Sequence, residues 1–449
     1  MKKTTKVYIS LTFICLISLI CVIYVSQGAY IPFYFYGDEL DTGMDFFNSL
    51  AEAASSGCYL TYHVAYPPFI NELLHKCALI IPGSLRNFLP KSHLGIVLMR
   101  GTARDFRCHQ APMLLFIFFI MTYIVMTFCI IVYKFRDHVL TGLLLSLAAL
   151  CSCGSLTALE RGNTVILSFV FTMLFLFGFD SDDIRIRRLS FISLAVAASL
   201  KLYPALYGLM IFCLKDRMSE IMKYICIFVS SALILSVCPL RHFGGLHGLK
   251  CYLTDLVAFN SDVPGTICYR YGIRGISEHF ASDLYKHTGL IIGNISVLAE
   301  SLLVIILIAL TISFAIHVYL RDNAWRAADV ITLALVLIQP QSTDYTLIFF
   351  VPVLLMLLYE EDALKVHDIP VFILLMVFIL PYPTPRISDA YNTVLRHVDL
   401  IQFSLMASAG YEFLDCMLRY VRYLTHNDSH THHGHNSHHP LFHPSPVFS

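Results

Sequence analysis

Apolar residues arrive in long unbroken blocks along this chain, and no other feature constrains its fold as strongly. Runs recur near residues 7–26, 112–133, 139–158, 164–179, 189–214, 221–238, 291–320, 327–358, 369–382 and 398–418. A helix needs about 20 apolar residues to cross a bilayer. Helices and closed barrels alone satisfy every backbone polar group in hydrocarbon, and a barrel would show short alternating segments instead. The blocks therefore predict an all-α fold, a polytopic transmembrane helix bundle of about 10–12 spans, broken half-spans included. Composition agrees: 57% of the 449 residues are hydrophobic and only 14% are charged, and mean hydropathy is +0.68. Net charge is zero and no basic stripe stands out, which argues against a nucleic-acid partner.

The first apolar run, Val7 to Val25, exceeds the roughly 7–15 residues of a signal-peptide core. It reads as a retained signal anchor, with Lys2, Lys3 and Lys6 holding the N-terminus in the cytoplasm. From that start the short inner connections, such as "YKFRDH", "DSDDIRIRR" and "LRDNAWR", collect most of the short-loop Lys and Arg, as the positive-inside rule expects. The outside receives two long loops, 27–111 and 239–290, within one membrane domain of residues 1–425. Residues 426–449 form a His-rich cytoplasmic tail that holds eight of the chain's 20 His. Such tracts bind metals in some proteins, and a disordered polar tail is the plainer explanation. No Cys lies in a CxxC pair. Cys58, Cys77, Cys108, Cys251 and Cys268 fall in the outer loops, where a disulfide has no readable pairing.

Two runs are interrupted by polar residues. "KLYP" (Lys201 to Pro204) divides 189–214, and "QPQSTDY" (Gln339 to Tyr345) divides 327–358. Proline removes a backbone donor and disrupts the helix, and a break at membrane depth persists only where protein or water surrounds it. On the topology above, both breaks and the tip "ALERGN" face outward.

That same side carries an acidic cluster. "YGDELDTGMDFF" places Asp38, Glu39, Asp41 and Asp45 within eight residues. Thr42 to Ser55 reads as an amphipathic helix, with Phe46, Phe47, Leu50 and Ala54 turned to the membrane interface and Asp45, Asn48 and Glu52 on one polar face. Asp45 has a plainer explanation, since Thr42-x-x-Asp45 resembles a capping box. Tyr66-Pro67-Pro68 fixes an extended turn before another amphipathic stretch. Glu160, Arg161 and Asn163 lie between two spans with almost no loop to hold them. Ionisable groups there are costly and usually functional, and the alternative is an internal Glu160–Arg161 pair. Lys201 follows twelve largely apolar residues from Leu189, with snorkelling as its alternative. Asp344 and Tyr345 open a later half-span, where a helix-capping Asp is the simple explanation.

Together these stretches resemble the polytopic glycosyltransferases of the GT-C class, and among them the polyprenol-phosphate-mannose-dependent α-mannosyltransferases. Those proteins carry an Asp-x-x-x-Asn/Tyr-like element in the first outer loop and then a turn ending Tyr-Pro-Pro. Bacterial members often show an Arg-Gly-Asn or Arg-Gly-Gln tip, together with a Lys-x-x-Pro break and a later Tyr-initiated span with an internal Pro. Here these are Asp45 to Asn48, Tyr66 to Pro68, Arg161 to Asn163, Lys201 to Pro204, and Tyr345 to Pro352. The order is kept over residues 1–360; the last spans and the tail are not covered.

The resemblance implies transfer of mannose or another hexose from a polyprenyl-phosphate donor to a glycan, glycolipid or lipid acceptor on the outer or luminal face, with inversion. Asp45 would be the general base, with Asp41 in reserve. Arg161 and Lys201 would hold the donor phosphate. Asn48, Tyr66, Glu160, Asn163, Tyr203, Asp344 and Tyr345 would line the substrate site. No cofactor is required, although an Asp41–Asp45 pair leaves room for a weakly held divalent metal. Membrane lipids are the other expected partner. The expected location is the bacterial inner membrane, with the endoplasmic reticulum as the alternative. Broken helices near a polar site are also the mark of secondary transporters, and a non-catalytic membrane scaffold is the third reading.

Overall fold

The structure is a computed structural model. It describes residues 42–431 except 56, 63, 88, 91, 100, 101, 103, 104, 262–269, 291–293, 340, 341, 362, 363 and 382–389, together with positions 12 and 16. The N-terminal run, Asp38, Glu39, Asp41, Cys268 and most of the His-rich tail lie outside the described residues.

The fold is helical, with no strand among the described residues. Helices α1 (Met44–Ala53) and α2 (Pro68–Ala78) lie in the first long loop. Then come α3 (Gln110–Lys134), α4 (Val139–Leu150), α5 (Cys153–Arg161), α6 (Val165–Gly178) and α7 (Ile184–Leu200). Next are α8 (Met218–Leu240), α9 (Gly245–Ser261) and α10 (Ile273–Thr288), the last two in the second long loop. The chain ends in α11 (Ile295–Leu320), α12 (Ala324–Ile338), α13 (Phe350–Glu360), α14 (Ile369–Ile379) and α15 (Ala390–Thr431). Helices α6, α7 and α8 pack side by side, α3 lies along α4, and α11 lies against both α12 and α15.

Three helices, α3, α8 and α11, are long and apolar enough to cross a membrane, and the α4–α5 pair makes a fourth if its bent halves count as one span. Their outward faces are apolar: Phe118, Ile234 and Ile305 are exposed, as suits contact with lipid. The chain is a helical membrane protein. Elsewhere the apolar runs form shorter helices, such as Val165–Gly178 and the 3-10 helix Tyr203–Cys213.

The run 139–158, expected as one span, is bent by 55° between α4 and α5. Ser152 causes the break by capping: its hydroxyl accepts the Ser155 N–H at 3.3 Å, which starts a new helix in a new direction. Both polar interruptions are real breaks. α7 stops at Lys201, which is extended, and a 3-10 helix follows from Tyr203. α12 stops at Gln339, also extended, as suits a residue before proline. A 3-10 helix, Asp344–Phe349, then leads into α13.

The first loop departs from expectation at one face. Phe46, Phe47 and Leu50 do not face the membrane interface; each is buried. The Phe46 ring lies 5.3 and 5.1 Å from those of Phe116 and Phe119, and Phe47 lies 5.1 Å from Phe116. Such ring pairs contribute about 0.5–1.5 kcal/mol each beyond area burial. They fasten α1 to α3. The loop cysteines Cys58, Cys77, Cys108 and Cys251 are free thiols, and burial pushes Cys58 up to about 12, which leaves it an inert apolar filler.

Candidate active site

Segments far apart in sequence meet at the "ERGN" tip. α5 ends at Gly162, whose φ of 63° is left-handed, a conformation glycine takes without steric penalty. A Cβ at this position would stand 2.8 Å from both the Phe116 ring and the Phe46 Cβ. Gly43, at the start of α1, has φ 69°, and its N–H donates to the Glu160 carbonyl at 2.7 Å. That backbone bond sets the first turn of α1 against the last turn of α5.

Asp45 therefore points at the tip. It is not a capping residue: Gly43 is the N-cap and no side chain caps the helix. One carboxylate oxygen, Oδ2, accepts from Asn163 Nδ2 at 2.6 Å and from Arg161 Nε at 3.3 Å. Oδ1 accepts from Arg161 Nη2 at 3.2 Å. Arg161 thus grips both oxygens of Asp45 through two nitrogens on one edge of its guanidinium. Asn163 is itself oriented, because its Oδ1 accepts the Val165 N–H at 3.0 Å. A carboxylate offers about four lone-pair sites; three are occupied, so about one is free for another donor. The pair stays accessible, with 15% of the Asp45 side chain and 31% of the Arg161 side chain exposed.

Lys201 reaches the same place from the broken end of α7. Its Nζ lies 4.2 Å from the centre of the Tyr66 ring and within electrostatic reach of Asp45. Among the described residues its ammonium has no hydrogen-bond or ion-pair partner. Tyr66 comes from the Tyr-Pro-Pro turn, where extended Pro67 precedes Pro68 at the first position of α2. Its carbonyl is fixed by the Tyr59 hydroxyl at 2.9 Å and the Asn71 amide at 3.2 Å. Burial, with the Asp45 carboxylate adding to it, pushes the Tyr66 phenol well above its usual range, so it stays neutral and able to donate.

Two further tyrosines close the cluster. Tyr345 lies within electrostatic reach of Asp45 and Arg161. Tyr203 neighbours Tyr66 and Tyr345, and its hydroxyl is buried without a hydrogen-bond partner. Gly154 makes this convergence possible. A Cβ there would stand 2.3 Å from the Ile348 nitrogen, so only glycine lets α5 lie flat on the 3-10 helix that carries Tyr345.

The structure gathers Asp45, Arg161, Asn163, Lys201, Tyr66, Tyr203 and Tyr345. It treats the other expected residues differently. Glu160 is buried and contributes its carbonyl to Gly43. Asp344 is buried and accepts from the Tyr271 hydroxyl, which ties it to the second long loop. Asn48 is half-buried, one turn beyond Asp45, and makes no side-chain hydrogen bond among the described residues. Asp41, the reserve base, lies outside them. Reading the sequence missed Met44, whose Sδ meets Arg161 Nη2 at 3.3 Å, and Tyr271. Neither carries a sequence signal of its own. Gly43 and Gly162 lie within the acidic stretch and the "ERGN" tip, and Gly154 lies in neither.

What results is a carboxylate held by an Arg and an Asn, an uncommitted Lys over an aromatic face, and an unpartnered Tyr hydroxyl, all set in an apolar helical protein. No family model, no curated protein and no solved structure matches this chain.

Proposed function

We propose that this protein is a GT-C-like membrane glycosyltransferase that moves mannose or another hexose from a polyprenyl phosphate to an acceptor hydroxyl, with inversion. The observation that carries the reading is the meeting of Asp45, Arg161, Asn163 and Lys201, drawn from three separate segments, at one accessible polar cluster. In this scheme the acceptor oxygen attacks the anomeric carbon. The bond from that carbon to the phosphate oxygen breaks, and polyprenyl phosphate leaves with the electron pair. The acceptor's proton passes to the free lone pair of Asp45. Arg161 and Lys201 hold the phosphate as its charge grows. A phosphate leaving group needs no strong acid, so one carboxylate suffices. Base and leaving group on opposite faces of the sugar give inversion, as in inverting glycosidases.

The bundle is read as about 10–12 spans and half-spans. The N-terminus and His-rich tail are cytoplasmic, and the cluster is on the outer or luminal face. The bacterial inner membrane is the expected location. The apolar spans would take the polyprenyl chain. The acceptor, a glycan, glycolipid or lipid, would approach from the aqueous side.

A second reading is favoured by one observation: both polar interruptions are true breaks, as in secondary transporters. One experiment separates the two. Membranes carrying wild type or Asp45→Asn are given radiolabelled polyprenyl phosphate mannose. The enzyme reading expects transfer by wild type and a fall of about 10²–10⁴-fold in the variant. Undiminished transfer by the variant overturns Asp45 as base. Ion-coupled uptake with no lipid-dependent transfer establishes the transporter.

A further inference from the structure

A second polar cluster lies at the other end of α12. Counting 1.5 Å per residue from Arg326 to Ile338 puts it about 18 Å along the helix from the 339–344 break. Here α11, α12 and α15 enclose His317, Asp329, Glu412 and Cys416, all buried. The His317 Nδ1 is 2.8 Å from an Asp322 oxygen, so Nε2 is left facing inward. That nitrogen lies 3.0 Å from the Cys416 Sγ and 3.2 Å from the Glu412 Oε2. Glu412 and Cys416 are four residues apart on α15 and share one face. The three candidate ligand atoms lie within 4.8 Å of one another. Tetrahedral zinc separates its ligands by about 3.3–3.8 Å at ordinary bond lengths.

Charge is the second, independent observation. Glu412 Oε1 and both oxygens of Asp329 are buried without a hydrogen-bond partner, and the two carboxylates lie within electrostatic reach of each other. Among the described residues no arginine makes a direct ion pair with either carboxylate; Arg326 and His317 reach Asp329 only electrostatically. Arg419 is taken by Asp322 at 2.7 Å and Asp415 at 2.8 Å, and Arg326 by Asp368 and Asp415. A carboxylate with neither oxygen partnered, as in Asp329, is strongly unfavourable in a closed interior, and Glu412 has only His317 beside it.

We propose that this cluster is a zinc-class divalent metal site, with His317 Nε2, Cys416 Sγ and the Glu412 carboxylate as ligands and water in the remaining position. Asp322 then orients His317 from behind, the usual carboxylate–histidine–metal arrangement. Mixed N, S and O donors suit zinc better than magnesium or calcium. Binding releases the Cys416 thiol proton to solvent. The ion ties α11 to α15 and neutralises the acids facing α12.

The test uses the full-length protein in detergent, stripped with a chelator and loaded with less than one equivalent of cobalt or zinc. Cobalt is expected to give a thiolate-to-metal charge-transfer band in wild type that is lost in Cys416→Ser and in His317→Gln. Imidazoles of the C-terminal tail cannot produce that band. A band that persists in Cys416→Ser overturns the site. If the variants do not fold, zinc X-ray absorption on wild type decides alone. A sulfur shell at about 2.3 Å supports the proposal, and a shell of only nitrogen and oxygen at about 2.0–2.1 Å overturns it, leaving protons to neutralise the carboxylates.

Discussion

Asp45 shows how one side chain changes meaning with its surroundings. In a capping box its carboxylate would satisfy backbone N–H groups; here it accepts from Arg161 and Asn163 instead. If Arg161 also meets the donor phosphate, Arg161→Ala should lower sugar transfer about 10²–10³-fold. Arg161→Lys should restore little, because an ammonium lacks the planar fork. Steady-state kinetics of radiolabel transfer checks both. Tyr66 supplies a flat face to Lys201, an interaction worth about 0.5–2 kcal/mol. Tyr66→Ala is accordingly expected to raise the donor KM about 2–30-fold, whereas Tyr66→Phe keeps the ring and should leave KM near wild type. Equal KM values for the two variants would remove the aromatic platform from the scheme.

At the scale of elements, the site depends on how closely α1, α5 and the Asp344–Phe349 segment approach. Two glycines of the same backbone conformation separate conformation from packing. Gly162 and Gly289 both have positive φ, but a Cβ at 162 strikes Phe46 and Phe116, while one at 289 meets nothing within 4 Å. Gly289→Ala should lose only the left-handed penalty, about 1–2 kcal/mol, with transfer unchanged. Gly162→Ala should lose that plus the clash, and should displace Arg161 from Asp45. A thermal unfolding series in detergent, paired with transfer rates, reads both effects. Similar losses in the two variants would mean that close packing at 162 is unimportant.

For the whole molecule, the membrane decides which substitutions matter. Phe118 on α3 and Ile305 on α11 are 71% and 61% exposed, which for an apolar side chain in a spanning helix means contact with lipid. Phe118→Asp and Ile305→Arg are each expected to cost about 2.5–3.5 kcal/mol of insertion free energy, seen as loss of protein from the membrane fraction. Phe118→Leu should be neutral. Insertion unaffected by charge at both positions would place these faces out of hydrocarbon.

Much of this was legible in the sequence, and what was legible follows from local chemistry. Apolar block length predicted a helical membrane protein, because backbone groups in lipid must be satisfied within the helix. Pro204 and the polar run at 339–345 predicted the two breaks, because proline and its preceding residue reject the α conformation. The grouping of Asp45, Arg161, Lys201 and Tyr66 was expected from a shared outward side, and their contacts came only with the fold. Tertiary packing alone decided three things. It turned Phe46 and Phe47 into the protein, because α3 presents Phe116 and Phe119 to receive them. It tied Asp344 to Tyr271 of the second long loop. It also joined His317, Asp329, Glu412 and Cys416 from three helices. Helical periodicity fixes which face of a helix a residue occupies; which other helix lies opposite that face is set by packing between segments far apart in the chain.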